Sequence, residues 1–188
     1  YQDALVSARV PADRVRALDA LARYHDFRGQ QQKALEYFEQ SRELNKTVDN
    51  PMAVAFKQLG ELALYVRAGK ADLAQQTLPR LKAQMQPPFN EFVAMGEMQM
   101  QIELEHADEA EAALTRLEQA INKMGIQALN SAAVFGRGRI AELRGQCQQA
   151  ITAYEEKQKL DPADATIHVA MGRCYRKLGQ LPQSIEHL

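Results

Sequence analysis

The chain has 188 residues, is 46% hydrophobic and 25% charged, and carries a net charge of −1 at pH 7. That is enough apolar material for a core, without the cation surplus that would hold a nucleic-acid backbone, so nucleic acid is set aside as a partner. No apolar run approaches the ~18 residues of a membrane span, and no membrane insertion is expected.

Ala, Leu, Gln and Glu dominate, Trp is absent, and no alternating β-branched runs bounded by turn pairs occur. The expected class is all-α. In chain order, the pattern predicts helices over 12–27, 31–45, 52–67, 71–85, 90–104, 107–123, 127–143, 147–160, 165–177 and 181–188. Asn50-Pro51 places a cap residue before a first-turn proline. Pro87-Pro88 and Asp161-Pro162 fall between helices, and Pro182 sits in a first turn, where it is tolerated. Pro79 falls mid-helix and is expected to kink or shorten its helix, at about 3 kcal/mol if the helix continues straight.

One phrase recurs. "GKADLAQQTLPRL" at 69–81 returns as "EHADEAEAALTRL" at 105–117. Gly29, Gly69, Glu105, Gly145 and Gly179 stand at spacings of 40, 36, 40 and 34 residues. Five residues after each comes a small residue, Ala34, Ala74, Ala110, Ala150 or Ser184. Four further on comes a large apolar one, Phe38, Leu78, Leu114, Tyr154 or Leu188, on the same helix face. A period in this range means stacked helix pairs. Each anchor marks the turn within a pair, the small residue marks where its two helices approach closely, and the large one fills the gap a turn later.

This pattern resembles the tetratricopeptide repeat (TPR). Residues 131–164 match best, with Gly138, Gly145, Ala150, Tyr154 and Pro162 where the repeat wants Gly, Gly, Ala, an aromatic and Pro. The next unit continues with Gly172, Tyr175, Gly179 and Ser184. The resemblance covers essentially the whole chain, closely in the last two units and loosely before them. Units two and three lack the closing Pro, and unit three has Glu105 in place of Gly. It implies a right-handed superhelical solenoid of antiparallel helix pairs, about ten helices in one array. The units fall near 12–48, 52–86, 90–124, 127–164 and 165–188. Residues 1–9 resemble the tail of a preceding helix through Tyr1, Ala4 and Leu5. Both ends cut through repeats, so a fragment of a longer chain is expected.

No catalytic constellation stands out, and neither a cofactor nor a metal is expected. His25, His106, His168 and His187 lack ligand spacing, and "FGRGRI" at 135–140 has no preceding strand and no third glycine. The acids from Glu103 to Glu111 read as a solvated turn and helix start. Met95, Met98 and Met100 read mainly as core filling. Cys147 and Cys174 are expected as reduced, buried thiols of a cytoplasmic protein, with a disulfide between them left open.

The resemblance further implies that the first helix of each pair lines a concave groove. From unit one this gives Arg16, Asp19, Arg23, Asp26 and Phe27; from unit two Phe56, Leu59, Ala63, Val66 and Arg67; from unit three Phe92, Met95, Gln99, Ile102 and Glu103. Unit four gives Ala132, Phe135, Arg139, Glu142 and Leu143, and unit five Thr166, Val169, Arg173, Arg176 and Lys177. The groove is then apolar in its middle, at Phe56, Phe92, Met95 and Phe135, and basic at its C-terminal end, at Arg139, Arg173, Arg176 and Lys177. That composition suits a peptide. The Lys and Asn set by which chaperone-binding TPR domains hold a terminal carboxylate is not present, since Arg173 takes the place of the Asn. The expected function is a non-enzymatic protein-interaction scaffold that binds a peptide or protein segment in this groove. The alternative is a regulatory or substrate-recruiting repeat domain of a larger enzyme or signalling protein. Self-association through the array ends is a further expectation.

Overall fold

The structure is a computed structural model and describes residues 10–47, 51–87 and 89–187. Among them are ten α-helices and no strand: α1 (Pro11–Phe27), α2 (Gln31–Thr47), α3 (Pro51–Arg67), α4 (Ala71–Gln84), α5 (Val93–Glu103), α6 (Ala107–Met124), α7 (Asn130–Leu143), α8 (Cys147–Leu160), α9 (Ala165–Lys177) and α10 (Leu181–Glu186). No helix is long and apolar enough to cross a membrane. The expectations for residues 1–9, Asn50, Pro88 and Leu188 lie outside the described residues.

The expected helices lie close to these bounds, with three differences. Two 3₁₀ turns, Phe89–Phe92 and Gln127–Leu129, lead into α5 and α7. A 3₁₀ turn gives early partners to N–H groups and carbonyls that an α-helical start leaves free. The third difference is Pro79. α4 neither stops nor shortens there but runs on to Gln84. Pro79 and Gln75, whose carbonyl loses its i+4 donor, are both exposed, so water serves that carbonyl.

The five anchor residues all adopt the left-handed conformation, with φ from 61° at Glu105 to 75° at Gly145. Each closes its helix with the same two bonds. In the last pair but one, the Gly145 N–H donates to the Glu142 carbonyl at 3.1 Å and the Gln146 N–H to the Ala141 carbonyl at 2.9 Å. Around Glu105 the bonds run to Ile102 at 3.1 Å and from His106 to Gln101 at 3.0 Å. This is the Schellman closure, which satisfies the last carbonyls and reverses the chain within three residues. The small residues that follow, Ala34, Ala74, Ala110, Ala150 and Ser184, are all buried. Ser184 shows how near the paired helices come, because its hydroxyl donates to the Gly172 carbonyl across the pair at 2.9 Å.

The chain divides into two compact units, Tyr1–Gly96 and Glu97–Leu188. In the first, α1 packs on α2, α2 on α3 and α3 on α4. Leu18, Leu21, Leu35, Leu62, Leu64 and Leu81 fill the core. Polar ties cross it as well. Asp19 of α1 accepts from Ser41 of α2 at 2.6 Å and from Lys57 of α3 at 2.5 Å, and Asp26 pairs with Arg67 at 2.7 Å.

In the second unit, α6 through α10 pack in sequence, each on the next. One cluster joins Cys147, Ala150, Ile151 and Tyr154 of α8 to Ile167, Ala170, Met171 and Cys174 of α9. Tyr154 is fully buried and lies against Gly138 of α7, where a methyl group would overlap the ring, 2.8 Å from Cδ1 and 3.0 Å from Cζ. Thus Gly138 and Tyr154, matched separately to the repeat pattern, form one contact. Both cysteines are free and buried, as thiols.

Three substitutions test this account by urea unfolding. Gly138→Ala should destabilise by about 1–3 kcal/mol, because the ring has nowhere to move and overpacking outweighs the gain in helix propensity. Gly60→Ala, exposed in mid-α3 with open space around it, should stabilise by roughly 0.5–1 kcal/mol. Glu105→Gly should stabilise by about 1 kcal/mol by relieving the left-handed strain. An unchanged midpoint for Gly138→Ala would refute the close-approach explanation.

Candidate functional site

The groove candidates separate into groups. In the first unit, Phe56 and Phe92 meet edge to face, with ring centroids 5.3 Å apart at 79°. Phe89 completes a trio, 5.9 Å from Phe56. It is 40% exposed, more than either partner, and the sequence reasoning missed it because it lay next to Pro87-Pro88, between the expected helices. Met95 is half-buried. Leu59 is a correction: it is 1% exposed and belongs to the core. The cause is Gly96, where a Cβ would stand 3.0 Å from the Leu59 carbonyl oxygen and 3.1 Å from its Cδ2. A glycine there lets α5 close over α3. Ala63 and Ile102 are buried too.

In the second unit Gln99 is half-buried. Phe135 packs against the core cluster, 5.8 Å from the Tyr154 ring, so only part of it is available to a partner. Arg176 and Lys177 are exposed. Arg139, Arg173 and Lys177 come together around a single carboxylate, Glu142.

That arrangement follows from helix register. Arg139 and Glu142 are three apart on α7, and Arg173 and Lys177 are four apart on α9, so each helix turns two of the four toward the other. Arg173 takes both carboxylate oxygens in a fork, Nε to Oε1 at 2.9 Å and a terminal nitrogen to Oε2 at 3.0 Å. The Tyr154 hydroxyl donates to Oε2 from below at 3.1 Å. Arg139 Nε and Lys177 Nζ each stand 3.7 Å from a Glu142 oxygen, near enough for attraction and too far for a hydrogen bond. Arg139 Nε is buried and has no hydrogen-bond partner among the described residues.

Burial alone would raise the Glu142 pKa, but Arg173, Arg139 and the Tyr154 hydroxyl outweigh it and hold the carboxyl below its usual range. Arg173 is raised in turn by its bond to Glu142. Burial, then the Glu142 charge, pushes the Tyr154 phenol upward. Burial, then Glu142, then Cys147, pushes the Cys174 thiol up to about 12. The hydroxyl and thiol nearest the carboxylate therefore stay protonated. The cluster holds charge; it does not generate a nucleophile.

The first unit contains an instructive contrast. Glu61 of α3 is fully buried, pairs with Arg42 of α2 and accepts from the Tyr65 hydroxyl at 2.6 Å, while its other oxygen has no hydrogen-bond partner among the described residues. Here burial wins over Tyr65 and Arg42, and the pKa is raised. At Glu61, Arg42 and the more distant Lys57 do not offset full desolvation, whereas at the slightly less buried Glu142 the forked Arg173 and neighbouring Arg139 do.

No protein-family model matches the chain, and no curated protein does. Among solved structures it is similar to a tetratricopeptide repeat protein from Parabacteroides merdae ATCC 43184, at 15% identity over 99% of this chain and 67% of that one, with a TM-score of 0.55. It is also similar to BtubC (BKLC) from P. vanneervenii, at 14% identity over 95% and 78% of the two chains, with a TM-score of 0.53. MamA of MSR-1 aligns at 21% identity over 93% and 92%, with a TM-score of 0.48. The fold is an all-α, TPR-type helical repeat.

The depressed Glu142 pKa has a sign. Its stabilisation is present above the ordinary carboxylate pKa of about 4.3 and is lost as pH falls through the lower folded value. Urea midpoints followed downward in pH should therefore fall more steeply for the wild type than for Glu142→Gln, which should be the less stable of the two at pH 7. Parallel acid limbs would show that Glu142 gains nothing from its cations. Ellman's reagent should leave Cys147 and Cys174 unmodified in the native protein and titrate both in denaturant; rapid native reaction of either would contradict their burial.

Proposed function

We propose that the chain is a non-enzymatic scaffold that binds a protein segment along the first helices of its repeats. Partner contacts are assigned to Phe56, Phe89, Phe92 and Met95 in the first unit, and to Gln99, Phe135, Arg139, Arg173, Arg176 and Lys177 in the second. Leu59 leaves the set because it is buried.

The observation that carries this reading is the charge gathered on the first helices of the second unit. There α8 and α9 share one core, through Cys147, Ala150, Ile151 and Tyr154 on the one and Ile167, Ala170, Met171 and Cys174 on the other. The first helices α7 and α9 bring three cations to one carboxylate, more charge than packing or pairing within the chain requires. Charge concentrated on one face governs encounter and partner choice more than it governs fold. Partly exposed aromatic residues, as in the Phe56–Phe89–Phe92 trio, are the side chains that anchor protein interfaces. The similarity to a TPR protein bears on fold and is compatible with such a role.

The test is a lysate pull-down with three baits: wild type, Phe89→Asp, and Arg176→Glu with Lys177→Glu. All three substituted side chains are exposed, so the fold should survive, and circular dichroism checks it. Proteins enriched by the wild type should fall by about tenfold with at least one variant, as expected when a hot spot is lost. The same proteins held equally by all three baits would overturn the assignment of this face.

A further inference from the structure

We infer that the Arg139–Arg173–Lys177 cluster is a docking point for a carboxylate side chain of an acidic protein segment, and that Glu142 is its built-in competitor. This rests on the scaffold reading above and adds to it the chemistry of the partner.

The charge balance comes first. Three cations surround one carboxylate, which leaves two positive charges unmatched in a chain whose net charge is −1. Several other paired cations have carboxylates in proportion. Lys57 has Asp19 and Arg42 has Glu61. Arg137 has Glu118 and Glu156, and Arg144 has Asp108 and Glu111. At Glu142 the ratio is inverted.

Geometry shows which charges are available. Arg173 is committed, since it occupies both Glu142 oxygens. Arg139 and Lys177 are not, because both stop at 3.7 Å. The buried Arg139 Nε carries a donor that nothing among the described residues accepts, so Glu142 meets Arg139 only through charge. The Lys177 side chain is 53% exposed and free to swing. An incoming carboxylate can approach the partly exposed Arg139 side chain and Lys177 together without displacing Arg173 from Glu142, and would bring the cluster closer to neutrality.

The surroundings favour a protein segment over a polyphosphate chain. Val169 lies one turn before Arg173 on α9 and is 40% exposed, and Phe135 lies one turn before Arg139 on α7 and is partly buried. An acidic side chain flanked by apolar ones meets both features. A nucleic acid would need a basic surface extending over several phosphates, and here the cations converge on one point.

The probe is fluorescein-labelled hexaglutamate, measured by anisotropy at low salt against the whole chain. Saturable binding is expected, weakening as salt rises. Arg139→Gln and Lys177→Gln should each weaken it by about three- to five-fold, the scale of a partly exposed ion pair. Glu142→Gln should tighten it by a similar factor, because the internal carboxylate no longer competes; a purely structural Glu142 would give no gain. Gln at 142 still offers an acceptor to Arg173 and Tyr154, and Lys177→Gln alters only an exposed group, so folded protein is available for the comparison. The inference is overturned by absent hexaglutamate binding, by binding indifferent to both cation substitutions, by a folded Glu142→Gln that binds no tighter, or by preference for an oligothymidylate over hexaglutamate. Failure here with pull-down partners still dependent on Arg176 and Lys177 would remove the carboxylate class and leave the scaffold standing. Hexaglutamate binding without any variant-sensitive partner would do the reverse.

Discussion

Each helix pair turns on one residue at positive φ, and the rest of the structure depends on that reversal. A helix leaves its last carbonyls without donors, and a short turn inside a packed array cannot rely on water for all of them. The left-handed residue aims two following N–H groups back at these carbonyls and in the same step sends the chain the other way. The closure is the same at Gly29, Gly69, Glu105, Gly145 and Gly179, so the following helix starts in the same register each time and its fifth residue after the anchor turns inward. That is why the fifth residue is small and buried in every pair. Glu105 shows that the constraint is conformational, not a demand for glycine as such. A glutamate is held in the same shape, with strain, where the pattern wants Gly.

Within each unit, first helices of successive pairs come near enough for polar side chains to pair laterally, and those that do not pair face solvent. Asp19 with Lys57 and Asp26 with Arg67 pair in the first unit, as do Glu142 and Arg173 in the second. All but Lys57 had been read as groove positions. Lateral pairing therefore removes charge from the surface that a position count assigns to it. The charge that remains afterwards includes Arg139, Lys177 and Arg176, the cations proposed above to meet a partner.

The legible part of the fold was the part written in local chemistry. Gly29 or Gly145 before a helix, a small residue five places on and an aromatic after that are statements about backbone and packing within one pair, and a single sequence carries them. The pairing of Gly138 with Tyr154 was legible too, as two separate marks of one contact. Leu59 was misassigned because its burial depends on Gly96, far along the chain, and no spacing rule within α3 reports that approach. Glu61 left a fainter signal, one acid inside the apolar run Leu62, Ala63, Leu64, but its partner Arg42 lies on another helix. Phe89 was missed because a residue beside two prolines reads as linker, whereas a 3₁₀ turn aims it at Phe56.

Glu142 has two tasks that pull against each other. It must be ionised and central to hold Arg173, because a half-buried guanidinium left unpaired would destabilise α9 against α7. The same negative charge lowers the field available to an acidic partner. A second carboxylate built in nearby would leave only one unmatched positive charge and weaken the attraction; none at all would leave Arg173 and Arg139 repelling each other between α7 and α9. One carboxylate among three cations lies between these limits. It keeps the cluster assembled and leaves two positive charges unmatched.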